Sequence, residues 1–484
     1  MLKHIIRKEI LGNLTSPKFV FSYILCTILI LVSVYTGIAN YRGELKEYHE
    51  TQALNAAELE SWTSWEDETS AGTGTKGVAI TRPPQILGTL AIGVQDAVGR
   101  NAKVGTALDA PDPKLIDSKY DSNPVFAIFG PLDLTLIVKI VLSLFAILFT
   151  FDAIAGEKEK GTLKLTLSNP VPRDQLILGK AIGSFVSFLV PLAVPLLMGL
   201  ILLNIFPDIS LSGEDWARVG LILLSFLLYL SVFFNLGLLI SSRSGRSADS
   251  LFILLFIWVV FIFVIPKAAV MASKQIMPVP SIHDVNSEKV LLMEAVKRKE
   301  GMSGKVQLKK WRVANRPSFA KPGPTPEIIQ EYKDLVESIQ LVLITAINAK
   351  TMGLEADYQT KRRRQQMLAF NLSRISPSSA MTFSALRLAK TGIAERERFM
   401  NSIRTYKPVF GKWYNTKKVQ HTEMKWFEPQ PPKPSFEDMP RHAFVPETLG
   451  DSLYSIRYDL TLLILLNIIL FAGTFVSFLK YDVR

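Results

Sequence analysis

The sequence is poor in the residues that most active-site chemistry needs. A single cysteine, Cys26, excludes an intrachain disulfide and any metal site built on cysteine. The histidines are His4, His49, His283, His421 and His442, and no two stand at a spacing that would put ligands on one helix face. No metal centre is expected from them, and solvated surface histidines are the default reading. There is no G-x-S-x-G stretch, which argues against a hydrolase nucleophile. Gly156, Gly161 and Thr162 imitate the spacing of a phosphate-binding loop, but the lysine after the second glycine is missing and the preceding segment is apolar helix rather than strand. No phosphate cradle is expected there, so the chain should neither bind nor hydrolyse nucleotide by itself.

Polar residues are also missing from several long runs. Spanning ~30 Å of hydrocarbon takes ~20 helical residues, and six runs reach that length: about 19–39, 132–153, 181–206, 217–241, 250–270 and 458–479. A helix of a soluble core would carry a polar stripe, whereas 221–240 and 251–265 are apolar nearly all round. The pattern predicts an all-α polytopic membrane protein with six transmembrane helices. The first run lacks the small-residue cleavage site of a secretory leader, since Val34, Tyr35 and Tyr41 stand at its far end, and it reads as a retained anchor. The net charge of +12 is spread over membrane flanks and one large loop, which fits anionic lipid and not nucleic acid.

Orientation follows the lysines and arginines of short loops. Lys3, Arg7, Lys8 and Lys18, then Lys158, Lys160, Lys164, Arg173 and Lys180, then Arg243 and Arg246, then Lys480 and Arg484 all fall on one side, expected to be cytoplasmic. The connection 207–216 carries Asp208, Glu214 and Asp215 without a basic residue and belongs on the other side. The resulting organisation is a cytoplasmic N-terminus and first span (1–40), an extracytoplasmic segment (41–130), spans two to five (131–270) with a cytoplasmic segment 154–180, a large, mainly helical extracytoplasmic domain (271–456), and the sixth span with a cytoplasmic C-terminus (457–484).

Within the outer segments, residues 41–61 should continue the first helix outward. From Pro326 to Leu372 apolar positions such as Tyr332, Val336, Ile339 and Val342 recur at helical spacing. Proline-rich stretches at 317–326 and 429–440 read as extended connections. No internal repeat is evident.

The most informative stretch is 151–180, FDAIAGEKEKGTLKLTLSNPVPRDQLILGK. Residues 157–167 suit a short helix carrying Leu163, Leu165 and Leu167, ended by Pro170 and Pro172. Gly156, Glu157, Glu159, Gly161, Thr162, Leu163, Pro172, Arg173, Gly179 and Lys180 resemble the signature of ABC-2 type transporter permeases, in the large-loop branch that includes the permeases of nitrous-oxide reductase maturation and of gliding motility. Pro172 and Arg173 are adjacent here, where that pattern spaces them by one. Arg82, Pro83, Pro84 and Gly93, and Leu372, Ser373, Arg374, Ser376 and Pro377, add weaker likeness.

The resemblance implies a membrane subunit, in a bacterial inner membrane, that works as a homodimer or with a similar permease above separate ATPase subunits. ATP and Mg would be held by those partners, and no cofactor by this chain. The segment would be the coupling helix that docks on the ATPase, its residues being Gly156, Glu157, Glu159, Gly161, Thr162, Leu163, Leu167, Pro172 and Arg173, with Leu163 and Leu167 as apolar anchors. Export across the membrane is the expected outcome; the alternative is mechanical transmission to an extracytoplasmic partner without cargo. Among polar residues in the spans, Lys139 reads as snorkelling to an interface. Asn204, Asn235 and Asn467 read as interhelical hydrogen bonds rather than a lined path, and Pro191 and Pro195 should kink the third span.

Overall fold

A computed structural model describes residues 2–62, 69–70, 74–75, 77–105, 115–116, 118, 132–168, 172–315, 325–425 and 435–481. The two proline-rich connections fall largely outside these residues, as does Pro170. Helix dominates: α1 (Leu2–Leu14), α2 (Pro17–Glu60), α3 (Leu134–Glu159), α4 (Thr162–Ser168), α5 (Arg173–Ile205), α6 (Gly213–Arg243), α7 (Ser247–Ile276), α8 (Ile282–Ala314), α9 (Pro326–Ser373), α10 (Pro377–Leu388), α11 (Ile393–Lys425) and α12 (Leu449–Leu479). Seven of these, α2, α3, α5, α6, α7, α9 and α12, are long and apolar enough to cross a membrane. The protein is an all-α polytopic membrane protein whose described residues also include two small β-sheets that the sequence reading did not foresee.

Local signals explain the helix starts. Ser212 and Asp215 form a capping box at α6, Ser281 and Asp284 do so at α8, and Ser16 with Pro17 opens α2. Glycines set the closest crossings. A Cβ on Gly237 would stand 1.8 Å from Thr150 Oγ1, so α6 lies directly on α3. The asparagine reading holds for two of its three members: Asn235 Nδ2 donates to Asn467 Oδ1 (2.8 Å) and Asn467 Nδ2 to Leu228 O (2.9 Å), joining α6 to α12. Asn204 instead bonds to Leu200 O of its own helix. Helix α5 runs unbroken through Pro191 and Pro195.

Two spans contain π-turns, Val138–Leu142 in α3 and Val260–Val264 in α7. Such turns free a carbonyl, and here side chains bind them. Tyr229 Oη donates to Lys139 O (2.8 Å), while Ser376 and Ser378, at the start of α10, both donate to Phe261 O.

Helix α1 and the C-terminal end of α12 meet at one end of the bundle, called proximal below, where Ile5 packs with Phe478 and Tyr481. At the distal end the chain between α2 and α3 packs back into the bundle, with Leu87, Leu90 and Ala91 joining the transmembrane core. Gly37 makes this possible, since a Cβ there would stand 2.2 Å from Thr89 O. Strands β3 (Gly77–Thr81), β4 (Asn101–Gly105) and β5 (Leu115–Ile116) form an antiparallel sheet, after a small hairpin of β1 (Thr69–Ser70) and β2 (Gly74–Thr75). Val78, Ile80, Ala102 and Val104 share a second core with Leu59 and Trp62 and with Phe399, Ile403, Phe410 and Tyr414 of α11. The two segments read separately from the sequence therefore contribute to one hydrophobic core.

Helices α8 and α9 form an antiparallel hairpin. Lys289 pairs with Glu355, Gly304 lies against Ile339, and Arg312 donates to the Tyr332 hydroxyl, in one antiparallel register to within a residue.

Candidate functional site

The single short helix expected over 157–167 is divided between the end of α3 and a separate helix, α4. The end of α3, Ala155–Glu159, stops at Lys160, and Gly161 takes φ +69°, a left-handed conformation that glycine adopts without steric cost. Helix α4 then starts at Thr162. The glycine that imitated a phosphate loop is thus a helix terminator.

Most charges of this segment are paired within the chain, with Glu157, Lys158, Arg173 and Lys180 at least partly buried and Glu159 exposed. Glu157 Oε1 lies 2.7 Å from Lys180 Nζ, which also meets Glu9 Oε1 at 3.0 Å. Lys180 is buried, and the two carboxylates hold its ammonium charged where an unpaired one would be costly. Glu159 Oε2 accepts from Ser247 N (3.0 Å) and so caps the N-terminus of α7. Lys158 donates to Ser242 O and Ser244 O at the end of α6, and its ammonium lies 4.6 Å from the Tyr481 ring. Arg173 Nη1 donates to Leu479 O and Tyr481 O, both at 2.9 Å, closing the C-terminus of α12. Ser241 Oγ accepts from the amides of Ile154 and Ala155 at 3.0 Å each, at the turn of residues 151–154 after which the last helical stretch of α3, Ala155–Glu159, begins.

Apolar anchoring divides by face. Leu163 is fully buried in a small core with Ile154, Leu176, Ile177 and Phe478, and Leu167 packs on its edge. Leu165, two residues from each, projects to the other side and is 69% exposed. Helix α1 completes the proximal layer: Gly179 and Gly183 let it lie against α5, where a Cβ would approach Ile5 Cγ2 or Glu9 Cβ to 2.6 Å.

A family model for the ABC-2 family transporter proteins matches residues 4–483. The chain belongs to that family. Among curated proteins it is similar to the probable ABC transporter permease protein NosY of Pseudomonas aeruginosa, 33% identical over 138 residues, which is 28% of this chain and 49% of that protein. The protein of the same name from Stutzerimonas stutzeri is 32% identical over 127 residues, 26% of this chain and 45% of that one. The chain thus spans about half the length of the curated relatives it matches.

Of the residues singled out in this ABC-2 protein, Glu157, Leu163, Leu167 and Arg173 pack or pair within the proximal layer, Gly156 lies beside Ser247, Glu159 caps α7 from an exposed position, Gly161 ends the helix before α4, and Thr162 and Pro172 stand exposed. Sequence reasoning passed over Glu9, Ser241 and Ser247, whose contribution depends on helices far apart in the chain. It also grouped Leu165 with its neighbours, although helical geometry of ~100° per residue already sets it opposite Leu163.

Proposed function

We propose that this chain is the membrane subunit of an ABC transporter, itself without enzymatic activity, that couples ATP hydrolysis on a separate ATPase subunit to a conformational change across the membrane, with export as the outcome. The observation that supports it most is the knot around α4. Glu157, Lys158 and Glu159 just before α4, with Arg173 and Lys180 after it, make polar contacts that reach α1, α5, α6, α7 and α12, and Leu163 of α4 is buried among Ile154, Leu176, Ile177 and Phe478, so a displacement of α4 would be passed to most of the bundle. The ATPase would touch the exposed side, where Leu165 stands among Lys160, Thr162, Lys164 and Ser168. Glu157, Glu159 and Arg173 then act through contacts within the subunit, Glu159 from its surface, as carriers of the motion. Two copies, or one with a similar permease, would sit above two ATPase subunits that hold ATP and Mg; no nucleic acid is involved.

Six spans with both termini cytoplasmic, in a bacterial inner membrane, fit this reading. Helix α9 is the least apolar of the long candidates, with mean hydropathy 1.2 against 2.2 to 2.8 for the rest. It lies along α8, which has Asp, Glu, Lys or Arg at twelve of its 33 positions and does not suit hydrocarbon.

Co-expression with the ATPase tests the proposal. Leu165→Glu should abolish co-purification while leaving the yield and monodispersity of the subunit unchanged. Retained co-purification with wild-type stimulation of ATPase activity would remove the docking role.

One network supports the second reading, transmission to an extracytoplasmic partner. Arg218 of α6, fully buried, donates to Leu388 O, Ser452 Oγ and Glu447 O, and the Glu447 carboxylate holds Arg387 and Arg398. This ties a span to α11 and the distal core. Cargo flux in proteoliposomes separates the two readings.

A further inference from the structure

Helices α2 and α5 touch where Gly199 meets Val34 and Ile30. Beside that contact they leave an open groove of about 520 Å³ lined by Leu31, Val32, Tyr35, Met198, Ile201 and Ile205, along with Leu202. Its depth in the membrane follows from the helix rise. Lys18 pairs with Asp152 at the proximal end, and at 1.5 Å per residue Leu31–Tyr35 lie roughly 20–25 Å further along, within the distal half of a ~30 Å hydrocarbon layer. Arg42, roughly 36 Å from Lys18, then stands at headgroup level.

The groove is apolar throughout, but its mouth is not. Arg42 Nε lies 2.9 Å from Asp208 Oδ2, both side chains are about half exposed, and the guanidinium sits 5.7 Å from the Phe206 ring. The Nε contact leaves the Nη donors of a guanidinium for another acceptor, and a carboxylate keeps lone pairs for another donor. A neighbouring cation and anion complement a headgroup that carries both signs. We propose that the groove holds an acyl chain of a zwitterionic phosphatidylethanolamine, its phosphate on Arg42 and its ammonium on Asp208.

The test uses the full chain in bilayer discs of equal phosphatidylethanolamine and phosphatidylglycerol, each carrying in turn a photoreactive diazirine in mid-chain, with adducts mapped by mass spectrometry. Phosphatidylethanolamine should label peptides covering 31–35 and 198–205, and Ile201→Trp should cut that labelling at least fivefold, while Leu224→Trp, on an exposed face of α6, leaves it unchanged. Should Ile201→Trp fold poorly, Val32→Phe gives the same reading. Asp208→Asn, which leaves Arg42 as a net cation, should shift preference at least threefold towards phosphatidylglycerol. Labelling that survives both groove-filling variants, or falls equally with Leu224→Trp, means bulk lipid only and overturns the proposal. So does a benzophenone amino acid at position 35 that cross-links to a second copy of the chain.

Discussion

Lys180 Nζ lies between Glu157 Oε1 at 2.7 Å and Glu9 Oε1 at 3.0 Å, so one buried ammonium joins the end of α3, the N-terminal helix α1 and the third long apolar helix, α5. Removing one partner of such a buried set strands the others, at a cost of about 3–5 kcal/mol. Lys180→Met should therefore lower the unfolding midpoint in detergent sharply. Glu157→Lys, which brings two ammonium groups together, should do the same, and the exchange Glu157→Lys with Lys180→Glu should recover part of the loss. Equal destabilisation by the exchange and the single variants would show that the pair is not what holds the segment.

Topology can be checked with single cysteines in a Cys26→Ser background. Cysteine at Ser212, Thr325 and Arg363 should react with an impermeant thiol reagent in intact cells, and cysteine at Gly245 only after lysis. The pair 325 and 363 brackets most of α9. Labelling of one without the other would make α9 a seventh span.

Gly37 and Gly43 lie on the same helix and predict opposite outcomes. Nothing stands within 4 Å of a Cβ on Gly43, so Gly43→Ala should gain up to about 1 kcal/mol from helix propensity. At Gly37 the new methyl would meet the Thr89 carbonyl, and Gly37→Ala should cost about 1–3 kcal/mol through overpacking. Thermal unfolding of both variants measures the contrast.

The distal core should respond to pH through His442. Its Nε2 lies 2.9 Å from Ser402 Oγ, the ring packs edge-on against Phe399 and Tyr406, and burial pushes its pKa below the usual 6.5. The folded state then binds the proton less readily than the unfolded chain. Stability from this group is present above about pH 6.5 and is lost as pH falls towards the depressed folded value. Between pH 7.5 and 5.5 the melting temperature of His442→Gln should fall less than that of the wild type. Glu395, whose carboxyl burial pushes upward, acts in the opposite direction, so Glu395→Gln should steepen the acid loss.

Run length and apolarity alone determined that this chain is helical and crosses a membrane, because a backbone in hydrocarbon must satisfy its own hydrogen bonds. The same local rules announced the 44-residue length of α2 and the 48-residue α9. The order of residues in 151–180 was enough to raise the family resemblance. Contacts between distant segments were beyond such rules. That Glu159 caps α7, that Arg173 closes α12, and that strands after α2 share a core with α11 depend on which helices become neighbours. Only the tertiary structure decided whether each charge of the segment faces inward or outward, because a carboxylate takes whichever partner packing brings within 3 Å.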